Sequence, residues 1–374
     1  MPKLIALDLP GGEYFVSSLL RIWDEGNAVL PLDQRLPLKE RHELVSLMGA
    51  STVISSDGEH AGMGRPVEDG DALVVVTSGT GGATKGAVLT HDALSASAEM
   101  TSEALSVDPS SDRWLSCLPV SHIGGLSVIT RSLLSGTELV VHSEFSAHAC
   151  ERSGLQGSTL VSLVVTAMRR IDTSLFRKVL VGGSNIPDDL PENVVATYGM
   201  TETGSGVVYD GFPLKGVELK IQNGEILLKS PSMFRCYRDR GSPFQADGWF
   251  LTGDGGELVS DGKLKVFGRL EEVIVSGGEK IWPISVETAL SDLPWINEAA
   301  VVGQPDAEWG ELVTAFVVLK NKDETVSLRR VREELDSILP RYALPRVIQL
   351  VDRLPKTTSG KVLKSDLRSN LGVQ

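Results

Sequence analysis

The sequence predicts an α/β protein: a large layered N-terminal α/β domain over residues 1–267, containing a β-rich subdomain, and a small α+β C-terminal domain over residues 268–374. Three observations carry this. Strand-like apolar runs alternate with helical patterns through the first two thirds of the chain, the pattern changes to short alternating stretches between Phe212 and Leu258, and a self-contained set of strands and helices follows Gly268. With 374 residues, 41% apolar and 23% charged, the chain is long enough to bury a core in each part.

In order, Ala72 to Val76 reads as a buried strand, and a helical pattern over Asp92 to Leu105 starts from Thr90. Glu138 to His142 and Leu160 to Val165 read as further strands. In VELKIQNGEILLKS, the pair Asn223-Gly224 suits a tight hairpin turn. Beyond Gly268, strands are expected at Val273 to Val275, near Ala299 to Val302 and at Val313 to Leu319, with a helix from Ile284 to Leu290. Another helix is expected from Leu328 to Leu339, with Leu328, Val331, Leu335, Ile338 and Leu339 on one face and Ser327 as N-cap.

Composition narrows the function. The longest nearly apolar run, Leu160 to Met168, is too short to cross a bilayer and contains Ser162 and Thr166, so no membrane span is expected. The N-terminus MPKLIALDLPGGEYF has no continuous apolar stretch before a small-residue cleavage site; it does not read as a signal peptide, and a cytoplasmic location is expected. Cys117, Cys150 and Cys236 are too far apart in sequence for metal-ligand pairs and odd in number for a disulfide framework, so they are expected as buried small hydrophobes. A net charge of -13 argues against a nucleic-acid partner, and any polyanion must sit in a locally positive pocket.

Five segments offer chemistry. TSGTGGATKG, residues 77–86, follows the strand DALVVV; its glycines let backbone N–H groups approach phosphate oxygens, Thr77, Ser78 and Thr80 add donors, and Lys85 adds charge. It is not a P-loop, because Gly86 follows Lys85. YGMTETG, Tyr198 to Gly204, sets the carboxylate of Glu202 between two threonines, so that Glu202 suits Mg²⁺ and Thr201 a phosphate. Asp254, closing DGWFLTGD, can accept from two ribose hydroxyls. In GRLEEVIVSGGEKIWP, Arg269 can reach phosphate or ribose, and Ser276, Gly277 and Gly278 form a second loop able to approach a ligand. LPKTTSGKVLK places Lys361 in a Gly/Ser/Thr segment near the C-terminus. Taken singly, each has a plainer alternative: a flexible turn, a solvated glutamate, a turn aspartate, a structural arginine or a tail lysine.

Their order removes that ambiguity. TSGTGGATKG, LPVSHIGG, VGGSNIP, YGMTETG, GWFLTGD, GRLEEVIVSGGEKIWP and PKTTSGK together resemble the adenylate-forming superfamily of acyl-CoA ligases, peptide-synthetase adenylation domains and luciferases. The resemblance implies that Thr77, Ser78, Gly79, Thr80 and Lys85 close on the ATP phosphates, that Thr201 and Glu202 serve phosphate and Mg²⁺, and that Gly183, Ser184 and Tyr198 lie on the nucleotide side. Asp254 and Arg269 would take the ribose side, Glu271 the hinge, Lys361 the adenylation step, and the Ser276 to Gly278 loop the pantetheine arm once the mobile C-terminal domain rotates. The chain departs from the family pattern at Gly82 or one residue earlier, where a Thr is usual, at Thr84, where Pro is usual, at Glu271, commonly Asp, and at Lys364, often Arg.

The implied reaction is ATP-dependent activation of a carboxylic acid as its adenylate, then transfer to coenzyme A, with ATP, Mg²⁺ and coenzyme A as cofactors. Short members of the family include o-succinylbenzoate-CoA ligases, and LPVSHIGGLSVITRSLLSG is similar to theirs; that places His122 at the acid pocket and Arg131 nine residues beyond it. A cation there can pair with the acid's second carboxylate; a surface or helix-end arginine is the equal alternative. Another aryl- or acyl-CoA ligase, an enzyme loading a carrier-protein thiol and a non-catalytic nucleotide binder are the competing functions, and a second copy of the chain is an open partner.

Overall fold

The computed structural model describes residues 1–78, 84–183, 186–187, 189–239, 241–321, 325–356 and 362–369. The first sheet grows from short runs buried on both faces, as parallel strands covered by helices must be. β1 (Leu4–Asp8) is buried at all but its last position, and α1 (Glu13–Asp24) turns Phe15, Leu19 and Ile22 into the core at helical spacing. There follow β2 (Ala28–Pro31), α2 (Leu38–Met48), the hairpin β3 (Thr52–Ser55) with β4 (Gly58–Ala61), and then β5 (Asp71–Ser78) and β6 (Thr84–Thr90). β1 lies parallel to β2 and β3, β2 is parallel to β5, and β6 folds back antiparallel on β5. α3 (His91–Ala104) begins where the sequence placed it, with Thr90 Oγ1 accepting the Ala93 N–H at 3.1 Å.

The second sheet uses β7 (Arg113–Ser116), α4 (Ile123–Ser135), β8 (Glu138–Val141), α5 (Ala147–Leu155), β9 (Leu160–Val164), α6 (Val165–Met168), β10 (Lys178–Gly182), β11 (Val194–Gly199), β12 (Gly206–Tyr209) and β13 (Phe212–Pro213). Its order is β13-β12-β11-β10-β9-β7-β8, parallel from β8 to β11 and antiparallel beyond. Leu115, Val161, Val179 and Val181 form one buried face with Cys117 and Cys150.

β14 (Glu218–Gln222) and β15 (Glu225–Lys229) form the expected hairpin; Asn223 and Gly224 both have positive φ, 53° and 82°, as a two-residue turn of this hand requires. β16 (Cys236–Tyr237) then returns to the first sheet and pairs antiparallel with β6, completing the order β16-β6-β5-β2-β1-β3-β4. β17 (Phe250–Leu258) and β18 (Leu264–Arg269) join β15 and β14 in a four-stranded sheet.

The remainder contains β19 (Ile274–Ser276), β20 (Glu279–Ile281), α7 (Pro283–Ser291), β21 (Ile296–Asp306), β22 (Gly310–Leu319), α8 (Leu328–Leu335), β23 (Val347–Leu350) and α9 (Lys364–Ser369). Alternation along β21 feeds two cores. Val301 joins Val286, Leu290, Val331 and Leu335, while Ala300 and Val302 join Phe316, Leu354 and Leu367. The chain packs as two compact units: residues 1–220, 227–251 and 259–264, and residues 221–226, 252–258 and 265–374.

Some local expectations change. Val165 starts α6 rather than ending a strand. α8 stops at Leu335, and Ile338 is 55% exposed instead of joining the apolar face; Pro340 disfavours helix in the residue before it, so the chain turns tightly, with the Leu339 N–H still reaching Leu335 O at 2.9 Å. The described ends of residues 77–86 are strand rather than loop: Thr77 pairs with Lys85 and Ser78 with Thr84. Asp254 lies within β17 rather than in a turn. Cys117 and Cys150 are buried as expected, and neighbouring Cys150 together with burial pushes the Cys117 thiol up, whereas Cys236 is only half-buried. Among the described residues no helix is long and apolar enough to cross a membrane.

Candidate nucleotide and acid site

In open parallel sheets, ligands bind beyond the carboxyl ends of the strands, near the point where strand order reverses. The second sheet reverses at β7, which lies between β8 and β9. His122 follows the carboxyl end of β7, Gly183 that of β10, and Thr201 and Glu202 that of β11. Thus three of the sequence motifs gather at one edge because of topology alone. Gly183 is exposed with φ 85°, and Tyr198 is half-buried in β11.

β16 brings in the residue that joins two motifs. The Tyr237 hydroxyl donates to Glu202 Oε1 at 2.8 Å, and Lys85 Nζ stands 5.0 Å from the Tyr237 ring centroid. Lys85, from the first sheet, and Glu202, after the second, are therefore held through one aromatic ring. Thr201 and Glu202 form a 3-10 turn fixed by Thr203, whose hydroxyl bonds both the N–H and the C=O of Met200 at 2.9 Å. Among the described residues no three His, Cys, Asp or Glu side chains converge. A half-buried single carboxylate, steadied at one oxygen, fits Mg²⁺, which is commonly held by one or two carboxylates together with substrate phosphates. Gly79, Thr80 and Ser184 lie outside the described residues, as does the side chain of Ser78.

His122 is the N-cap residue of α4 and contacts two residues the sequence reading passed over. Arg35 Nη2 lies 2.7 Å from His122 Nε2, and Asp33 Oδ2 lies 3.3 Å from the same nitrogen. Burial opposes ionisation of Asp33, yet the Arg35 and His122 hydrogen bonds hold its carboxyl well below the usual range.

Arg131 is neither at the surface nor at a helix end. It sits inside α4 with 2% exposure, its guanidinium 4.9 Å from the Trp114 ring centroid and Nη2 donating to Ser205 Oγ at 3.4 Å. Its Nε and Nη1 have no partner among the described protein atoms. Burial pushes the guanidinium down from its usual value, an effect that nearby Tyr209 opposes. Buried donors of this kind call for an acceptor supplied by water or ligand.

The second unit carries the other motif residues. Asp254 is 7% exposed, with Arg269 Nε 3.2 Å from its Oδ1, while Arg269 Nη1 donates to Thr252 O at 2.8 Å. Ser276, Gly277 and Gly278 form the turn between β19 and β20; the Gly277 N–H donates to Trp309 O at 2.9 Å, and the buried Ser276 Oγ has no partner among the described atoms. Lys361 lies outside the described residues.

Residues 55–238 match the AMP-binding enzyme family, and residues 285–361 match the AMP-binding enzyme C-terminal domain. The 2-succinylbenzoate–CoA ligase of Enterococcus faecalis is 31% identical over 427 residues, covering 97% of this chain and 87% of that one. The o-succinylbenzoate CoA synthetase of Bacillus subtilis, in complex with its acyl-adenylate intermediate, superposes with a TM-score of 0.88 at 29% identity, covering 98% of this chain and 88% of that one. The same enzyme in complex with ATP and magnesium ion gives a TM-score of 0.86 at 28% identity, covering 99% and 89%. Fold and matches together define an AMP-forming acid–thiol ligase that activates its acid with ATP as an acyl-adenylate. Since the likeness to a relative above 30% identity spans nearly the whole chain, the protein belongs to the AMP-binding enzyme family.

Proposed function

We propose that this chain activates 2-succinylbenzoate with ATP and transfers the acyl group to coenzyme A. The carboxylate oxygen attacks the α-phosphorus of ATP and pyrophosphate leaves; a thiolate then attacks the acyl carbon and AMP leaves. Negative charge builds at the phosphate in the first step, so preorganised cations there stabilise it most. In this reading Thr77, Ser78, Gly79, Thr80 and Lys85 hold the phosphates, with Thr201 as a further donor and Glu202 as the carboxylate for Mg²⁺, which would neutralise phosphate charge. Gly183, Ser184 and Tyr198 flank the adenine, Asp254 and Arg269 the ribose, and Lys361 assists adenylation. The segment from Gly268 onward turns about Glu271 to bring Ser276, Gly277 and Gly278 to the pantetheine arm.

Arg131 carries the choice of acid. A fully buried guanidinium with two unpartnered donors, lying in the helix that His122 opens, suits an acid with a second carboxylate, directly or through water. The names of the relatives point to the same dicarboxylic acid. Truncating one partner of a desolvated charge pair costs roughly 2–5 kcal/mol. Arg131→Ala should therefore lower kcat/KM for 2-succinylbenzoate by about 30-fold or more, at about 1.4 kcal/mol per tenfold, and leave a monocarboxylic aryl acid little changed. Equal losses for both acids would make Arg131 structural. Pyrophosphate exchange without coenzyme A consumption would instead favour a carrier-protein thiol as acceptor.

A further inference from the structure

We propose that Lys364 is a positioning residue for the adenylation step: clamped between Glu272 and Glu287, it fixes the base of the segment that carries Lys361. The proposal rests on the reading of Lys361 given above. Lys364 Nζ lies 2.6 Å from Glu272 Oε2 and 2.9 Å from Glu287 Oε1, and side-chain exposures of 15%, 24% and 14% make this a half-buried cluster. Glu287 is fixed independently, because it also accepts the Val301 N–H at 2.8 Å.

Helix stability does not explain Lys364. It is the first residue of α9, the end at which a helix favours negative charge, and Asp366 already serves that turn. The two carboxylates explain it, since each would otherwise lie near a like charge with little water to screen it.

The cluster lies where it can govern Lys361. Residues 357–361 are bounded by Lys356 and Val362, which form an antiparallel bridge, and the Leu363 N–H donates to Pro355 O at 2.9 Å. Two ion pairs flank this base. Lys356 Nζ meets Glu298 Oε1 at 2.8 Å with both side chains over a third exposed, a type of pair that holds little. The Lys364 cluster, next to Val362 in the sequence, is half-buried and bears twice on one cation, so it is the firmer of the two. Its other end is Glu272, in the 3-10 turn Leu270–Glu272 that begins directly after Arg269. One turn thus ties the Asp254–Arg269 pair to Lys364, which follows Lys361 by three residues in the sequence.

A misplacement of about 1 Å in a reacting group costs on the order of 100-fold in rate. Lys364→Met should therefore lower kcat for ATP–pyrophosphate exchange by about 10- to 100-fold with KM for ATP little changed. Reaction of a pre-made acyl-adenylate with coenzyme A should stay within about twofold, since that step does not use Lys361. Lys364→Arg should restore exchange, because it keeps the charge between the carboxylates. Glu272→Gln, which leaves the Lys364–Glu287 pair, should repeat the selective loss in milder form and serves as the test if Lys364→Met does not fold. Equal loss in both half-reactions, or wild-type exchange in Lys364→Met or, where that variant does not fold, in Glu272→Gln, would overturn the proposal. Lys361→Ala separates the two readings: normal exchange there removes the role of Lys361 and this inference with it, whereas lost exchange there beside normal exchange in the clamp variants removes the inference alone.

Discussion

Tyr237→Phe tests whether the hydroxyl that steadies Glu202 matters to the chemistry. The change deletes one oxygen and keeps the ring, which packs edge-on against Phe234 at 4.8 Å and lies under Lys85. What disappears is the 2.8 Å hydrogen bond to Glu202. A hydrogen bond to a charged group contributes about 1.5–3 kcal/mol; Glu202 is half-buried, so water recovers part of this and the lower end applies. About 1.5 kcal/mol is roughly tenfold in kcat/KM. Pyrophosphate exchange measured against Mg²⁺ concentration should show that loss together with a raised Mg²⁺ requirement, with the unfolding midpoint in urea nearly unmoved. Repeating the substitution in a Glu202→Ala background decides the cause: if Tyr237 acts through Glu202, the second change adds almost nothing there. Fully additive losses would refute the link between the two residues.

Two further substitutions probe the scaffold. Asp112 accepts from Arg177 at 2.8 and 2.6 Å, from Thr159 Oγ1 at 2.7 Å and from the Asp108 N–H at 3.0 Å; burial opposes its ionisation, yet these bonds hold its pKa below the usual value. The stability it adds is therefore present above the unfolded-state value of about 3.9 and lost as pH falls through the lower folded value. Asp112→Asn should cost about 2 kcal/mol at neutral pH, discounted because Arg177 is partly exposed, and should flatten the acid side of the urea-midpoint profile. Gly125→Ala would set a Cβ 2.5 Å from the carbonyl oxygens of both Leu118 and Pro119. Since neither atom is the end of a flexible side chain, overpacking should cost about 1–3 kcal/mol in thermal or urea unfolding, and the displaced start of α4 should raise KM for the acid through His122.

The sequence made the layered class and several strands legible, because buried strands leave apolar runs such as DALVVV. It also yielded the start of α3 near Thr90 and the Asn223-Gly224 turn, where chemistry acts over three or four residues. Non-local features stayed hidden. FRCYRDR carries no local signal that Tyr237 meets Lys85 and Glu202, since that depends on β16 pairing with a strand formed far earlier in the chain. Arg131 could not be placed by spacing from His122, because only packing against Trp114 and Ser205 shows which face of α4 is interior. The end of α8 was overextended for another reason: apolar periodicity continued through Leu339, while the nearby Pro340 signalled the stop.

β16 makes the order of folding matter. Arg235 clasps Asp71 at 2.9 Å across 164 residues, and Arg238 donates to the carbonyl oxygens of Met48, Pro66 and Arg65 at 3.0, 2.8 and 2.7 Å. Closing so long an excursion is entropically costly and slow until the intervening sheet has condensed and brought its ends together. During synthesis the first sheet can therefore form with β6 as an open edge, able to recruit a strand from another chain. Only when residues 235–238 arrive is that edge covered, and the same event delivers Tyr237 to Lys85 and Glu202. Protection against mispairing and completion of the proposed phosphate and Mg²⁺ corner are one step, so on that reading a chain stalled before it would be at once inactive and prone to aggregate.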